Sequence, residues 1–179
     1  YCVAVNSCTN ALFLALTYWK RHRLQPFVQI PKHTYISVPM QAIHAGYGVV
    51  IIDQKWSGEY QLYPTPVWDS ARRFTSNMYR KGMYQCTSHH WNKILGIQQG
   101  GCILHDDKLA DQWFRCARFD GRTEGVPPSK DAFKELGWHC YMSPEIAAEG
   151  LVRLLHLPKN NFDLQNDFYP DLSQIELFK

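Results

Sequence analysis

Short apolar runs of strand length alternate with segments of helical period along most of this chain. That alternation limits its fold more than any other feature. CVAV at 2–5 reads as a short buried strand, and NSCT follows as a polar turn. Leu12, Phe13, Leu16 and Trp19 then recur at helical spacing to about Arg21, where KRHR marks a helix end. FVQI at 27–30 is a second strand, closed by Pro31; 37–44 is a short helix, broken off by Gly46 and Gly48; VVIID at 49–53 is a third strand. PVWD at 66–69 is a brief strand that ends on a carboxylate. QCTSH at 85–89 and GCILH at 101–105 are strands flanking the turn-rich HWNKILGIQQG. Asp106 or Asp107 can cap a helix running to about Arg118, and Ser143-Pro144-Glu145 starts another that ends near His156, before Pro158. The stretches 54–65, 70–84 and 120–130 carry no clear period, and 159–179 is weakly patterned. Strands interleaved with helices predict an α/β fold with a largely parallel sheet.

Composition narrows the class. At 179 residues, 45% hydrophobic and 20% charged, the chain is one domain with a real core and not a disordered or fibrous one. A net charge of +3 is too weak and too evenly spread to point to nucleic acid. No apolar run approaches the roughly 18–20 residues of a membrane span, and residues 1–18 show no secretory signal pattern. The six cysteines form no CxxC pair and sit mostly among apolar residues, which fits a reducing cytoplasm. The chain opens at Tyr1 and not at Met, as a fragment or a trimmed protein would.

Four constellations could carry chemistry. Ser7, Cys8 and Thr9 lie between a strand and a helix, where free N–H groups and the positive dipole end can cradle a phosphate; an ordinary helix cap is the plain alternative. Asp69 stands at a strand end, beyond which ligands of α/β sheets bind, and could hold a protonated ring nitrogen or simply be a solvated acid. Tyr35, in PKHTYIS, could stack on a planar ring or pack in the core. Ser88-His89-His90-Trp91-Asn92-Lys93, followed by Gly96 and Gly100-Gly101, sets a lysine among aromatics, where desolvation can free its amine to attack a carbonyl. A surface charge is the alternative for Lys93. A zinc site of Cys86, His89 and His90 lacks a second ligand pair at the usual spacing.

In order, these motifs resemble the pyridoxal-phosphate aminotransferases of fold type I, and among them the DegT/DnrJ/EryC1/StrS family of sugar aminotransferases. VNSCTNALFLAL is similar to that family's opening motif, small-Ser-Gly-Thr-x-Ala-Leu-x-Leu-Ala-Leu. PKHTY resembles its Pro-x-x-Thr-aromatic motif, and VWDSA at 67–71 its Glu-Asp-Ala-Ala motif. SHHWNKIL with the trailing Gly pair resembles its lysine motif, and GWHCYMSPEIAA at 137–148 its Gly-Tyr-Asn-Tyr-Arg-Met motif. The resemblance implies a shortened three-layer α/β/α domain over 1–156, with 157–179 a tail or the remnant of a small domain. It implies that Lys93 forms the internal aldimine with pyridoxal 5'-phosphate and that Asp69 keeps the pyridine nitrogen protonated. Tyr35 would stack on the ring, and Ser7, Cys8, Thr9 and Ser88 would contact the phosphate, with Arg72 and His90 nearby. It further implies a homodimer in which the segment around His139 reaches the partner's site, and a reaction moving an amino group from a donor such as glutamate to a nucleotide-linked keto-sugar. A member that binds cofactor or nucleotide-sugar without turnover is the alternative. The departures are Cys8 in place of Gly, Arg72 in place of Gln or His, His139 in place of Asn, Tyr141 in place of Arg, and a shortened stretch between Tyr35 and Asp69.

Overall fold

The structure, a computed structural model, describes residues 1–165 and 169–178. β1 (Cys2–Val5) leads into α1 (Cys8–His22), whose N-cap is Ser7. Next come β2 (Phe27–Pro31), α2 (Ser37–His44), β3 (Gly48–Ile52), β4 (Tyr60–Gln61), β5 (Val67–Asp69), β6 (Tyr84–Ser88), β7 (Gly101–Leu104), α3 (Lys108–Ala117) and α4 (Pro144–His156). The expected α1, α3 and α4 form at the predicted caps: Ser7 Oγ accepts from Asn10 N, Asp107 accepts from Leu109 N and Ala110 N, and Ser143 accepts from Ile146 N. A cap oxygen satisfies first-turn donors that would otherwise lack a partner.

Five strands form one sheet in the order β1-β7-β6-β5-β4, while β2 and β3 pair separately. Only β5–β6 and β2–β3 are parallel, so the sheet is mixed where the sequence predicts a mostly parallel one. The reason is connection length. β4 and β5 are joined by residues 62–66, and β6 and β7 by a helix-free loop over 89–100; neither link carries the crossover helix that a parallel pair usually needs. Between β3 and β5 the chain makes only the two-residue β4, in keeping with the shortening read from the sequence.

α1 packs across β5, β6 and β7 with α3 beside it, burying Leu12, Leu14, Leu16 and Tyr18. Each such aliphatic side chain contributes about 1.5–3 kcal/mol by leaving water. Alternation along β6 turns Tyr84, Cys86 and Ser88 one way and Gln85 and Thr87 the other. Gln85 meets irregular chain and not a third helical layer: its Oε1 accepts from Arg80 N, 3.1 Å, and its Nε2 donates to Glu59, 2.9 Å. α4 buries only Gly150 and exposes Leu151, Val152 and Leu155. No described helix is long and apolar enough to cross a membrane.

β1, β5 and β6 run in one direction, because β7 is antiparallel to both β1 and β6, and β5 is parallel to β6. Their carboxyl ends, at Val5, Asp69 and Ser88, therefore share one edge of the sheet, and that edge holds the main cavity.

Candidate functional site

A cavity of about 910 Å³ opens at this edge. Ser7, Cys8, Thr9, Tyr35, Asp69, Arg72, Ser88, His90 and Lys93 all line it, so residues far apart in sequence meet at one cavity. His139 does not line it: its ring is largely exposed, with Nδ1 2.9 Å from Asp120 Oδ2.

The first wall is the start of α1. Ser7 Oγ takes Asn10 N, 3.1 Å away, and leaves the Cys8 and Thr9 N–H groups outside the helix's own ladder. No acidic residue lies in the first turn to cancel the dipole. Thr9 Oγ1 lies 3.0 Å from Ser37 Oγ, so α2 brings its own N-terminal hydroxyl to the same place. The Cys8 thiol turns away into the core and donates to the Cys86 carbonyl, 3.4 Å; burial raises its pKa well above the usual thiol range. What Cys8 offers the cavity is its backbone. Gly101 lets α1 start so close to the sheet: a Cβ there would sit 2.6 Å from Cys8 N and 2.7 Å from Thr87 O.

The floor is Asp69, buried at the end of β5. Its Oδ1 accepts from Ala71 N, 2.9 Å, and its Oδ2 from the Tyr60 hydroxyl, 3.0 Å. Burial pushes its carboxyl up from the ordinary range; the Ala71 N–H, the Tyr60 O–H and the Lys93 and Arg72 charges all pull the other way. Lys93 is half-buried and lines the same cavity. Among the described residues its Nζ has no hydrogen-bond or ion-pair partner. Burial lowers its pKa, the Arg72 cation adds to that, and the Asp69 and Cys8 groups oppose it. An amine in this state is freer to attack a carbonyl than one in bulk water.

Cys86, His89 and His90 do not gather. His89 Nε2 lies 3.1 Å from Thr87 Oγ1, and His90 Nδ1 lies 2.9 Å from Asn92 Oδ1. Among the described residues no group of three acidic, histidine or cysteine side chains is placed to hold a metal ion.

Sequence reasoning missed several lining groups. Ser37 carried a signal, a small hydroxyl residue at a helix start. Trp56 comes from the stretch 54–65, which has no period; Tyr60, from the same stretch, bonds to Asp69 without lining the cavity itself. Leu164, Gln165 and Tyr169 arrive from the weakly patterned tail. The tail also occupies Arg72, whose Nε donates to Tyr169 Oη, 3.2 Å, and whose Nη1 donates to the Gln165 carbonyl.

The mixed sheet with a helix start at its carboxyl edge has the α/β large-domain fold of the fold type I aminotransferases. The comparisons with known proteins agree. The model of the DegT/DnrJ/EryC1/StrS aminotransferase family matches residues 1–67, the part of the chain that holds the opening motif and PKHTY. The sugar aminotransferase CalS13 from Micromonospora echinospora superposes with a TM-score of 0.71 at 17% identity, over 87% of this chain and 56% of that one. Helicobacter pylori PseC, an aminotransferase involved in the biosynthesis of pseudoaminic acid, gives 0.72 at 16% identity, over 88% and 54%. E. coli GDP-4-keto-6-deoxy-D-mannose-3-dehydratase with bound hydrated PLP gives 0.70 at 18%, over 88% and 56%. The chain thus spans little more than half the length of these structures. No curated protein matches it by sequence.

Proposed function

We propose that this chain forms the cofactor-binding part of a pyridoxal 5'-phosphate-dependent aminotransferase acting on a nucleotide-linked keto-sugar. One observation carries the reading: a half-buried amine, Lys93, with no hydrogen-bond partner among the described residues, opens on the same cavity as a buried carboxylate and an uncancelled helix N-terminus.

The residues fit the group. The phosphate would lie at the start of α1, taking the Cys8 and Thr9 N–H groups and the hydroxyls of Thr9, Ser37 and Ser88. Tyr35 would cover a ring face. Asp69 would accept the pyridinium N–H, a hydrogen-bonded charged partner for this buried carboxylate. When bound, the cofactor supplies an electron sink for the carbon next to the transferred nitrogen. Lys93 Nζ provides the attachment point. As a free amine it would hold and move a proton at the reacting carbon, a task suited to an amine whose pKa has been lowered. Arg72 sets a cation at the cavity wall, suited to an acidic donor such as glutamate or to a substrate phosphate. The exposed His139, held by Asp120, would reach the site of a second subunit of a homodimer. The six free thiols suit the cytoplasm.

A second reading, cofactor or nucleotide-sugar binding without turnover, draws support from Arg72, which the tail already engages through Tyr169 and Gln165. One experiment separates the two. Protein incubated with pyridoxal phosphate should turn yellow, and borohydride should fix the cofactor on the Lys93 peptide by mass spectrometry. Lys93→Ala should lose both this and the half-reaction with glutamate. Colour without a half-reaction favours binding alone; turnover in Lys93→Ala sinks the assignment.

A further inference from the structure

Tyr60 comes from the shortened segment and bonds to Asp69, the carboxylate at the floor of the cavity. β4 places it directly opposite Asp69 in the antiparallel register, so the two side chains are nearest cross-strand neighbours. Its hydroxyl donates to Asp69 Oδ2, 3.0 Å, and lies 2.7 Å from Thr34 Oγ1. A phenol has one proton. With that proton on Asp69, Thr34 must be the donor to Tyr60, and the direction Thr34 to Tyr60 to Asp69 is fixed. All three groups are buried: Thr34 is 1%, Tyr60 2% and Asp69 4% exposed. The Trp56 ring packs on Tyr60 with centroids 4.7 Å apart and holds it from the other side.

We infer that Tyr60 is a positioning residue for Asp69: with Thr34 behind it, it orients the carboxylate and keeps it charged, and so sets how firmly the site holds a protonated ring nitrogen. The inference rests on the proposed cofactor reading and deepens it. The other groups that face Asp69 are Lys93, Arg72 and the Cys8 and Cys86 thiols. Burial holds both thiols protonated, and neither is a hydrogen-bond partner of the carboxylate. The fixed donors on Asp69 are therefore the Ala71 N–H on one oxygen and Tyr60 on the other. A carboxylate that accepts a phenolic proton is a poorer base, so a proton shared with a ring nitrogen stays on the nitrogen. Hydrogen bonds in a buried chain also strengthen one another, so Thr34 makes Tyr60 the better donor.

The test compares wild type with Tyr60→Phe and Thr34→Val. In the cofactor-free proteins, the Asp69 carboxyl is titrated by carbon-13 NMR; removing a donor to the charged form should raise its midpoint in Tyr60→Phe and, by less, in Thr34→Val. Pyridoxal phosphate affinity, read by absorption, should fall roughly tenfold in Tyr60→Phe, the expected scale for one hydrogen bond to a charged group. The pH midpoint of the bound cofactor's absorption change should move up. A ring nitrogen that loses its proton no longer disfavours a second positive charge on the same conjugated system. Unchanged Asp69 titration and an unchanged absorption midpoint in a folded Tyr60→Phe protein would overturn the inference, since packing alone moves melting temperature but neither midpoint. If Tyr60→Phe does not fold, Thr34→Val decides on the same two midpoints. Failure of wild type to take up pyridoxal phosphate would sink the cofactor reading instead, and the cofactor-free titration would still decide the role of Tyr60.

Discussion

His89 shows how one buried side chain ties this site's stability to pH. It packs against the Phe74 ring, centroids 5.2 Å apart, and its Nε2 lies 3.1 Å from Thr87 Oγ1. Burial lowers its pKa to about 4, against about 6.5 in an unfolded chain. Between those values the unfolded state binds the extra proton and the folded state does not, so the stability contributed by neutral His89 is complete above about pH 6.5 and is lost as pH falls toward 4. The shift corresponds to a loss on the order of 3 kcal/mol. Urea unfolding of wild type across this window should show the falling slope, and His89→Gln should flatten it; an equal slope in both proteins would remove His89 as the cause. At the same scale, Asp69 and Lys93 could be picked out as candidate site residues from residue type and position. What could not be read was that Oδ2 of Asp69 accepts from Tyr60, because that contact depends on how β4 registers against β5.

At the scale of elements, the junction of β1, α1 and β7 builds the corner proposed to bind the phosphate. The cap on α1 is local chemistry, and Ser7 announces it in the sequence. The placement of the helix against β7 is not local. It depends on Gly101, where a Cβ would fall 2.6 Å from Cys8 N, 2.7 Å from Ser7 C and 2.7 Å from Thr87 O, all backbone atoms that cannot rotate aside. Gly101→Ala should therefore displace the start of α1. We expect a loss of about 1–3 kcal/mol in thermal or chemical denaturation, the usual cost of overpacking, together with weaker binding of pyridoxal phosphate and of inorganic phosphate by calorimetry. Wild-type affinity for both would show that the helix start does not form the anion site. The elements themselves were largely legible, because α1, α3 and α4 rest on periodicity and caps. β4 was not legible: a two-residue strand has no period to detect.

Across the whole molecule, the C-terminal tail closes the site from outside the sheet. Residues 159–164 run beside 72–76: Ser76 N donates to Lys159 O, 2.7 Å, and Leu164 N donates to Arg72 O, 2.9 Å. Arg73 joins Asp163 to the buried Glu59, both at 2.6 Å, and Glu59 also takes Ser70 Oγ, 2.7 Å, and Arg80. Further on, Leu172 is fully buried and its N–H donates to Lys32 O, 2.9 Å. Leu172→Ala should cost about 2–5 kcal/mol at this anchor and expose the tail to limited proteolysis, with cleavage C-terminal to Arg153 appearing well before global unfolding. Proteolysis at the wild-type rate would mean that the Arg73 and Glu59 contacts alone hold the tail.

The sequence by itself determined the alternation of strands and helices, the capped helix starts, and the ordered set of phosphate turn, aromatic, acid and lysine. Each of these is encoded within a few neighbouring residues by periodicity, capping chemistry or residue type. Only the tertiary structure decided the mixed sheet, the Tyr60–Asp69 pairing and the tail that lays Tyr169 over Arg72. Those features are contacts between segments distant along the chain, fixed by register, loop length and single anchors that leave no local pattern.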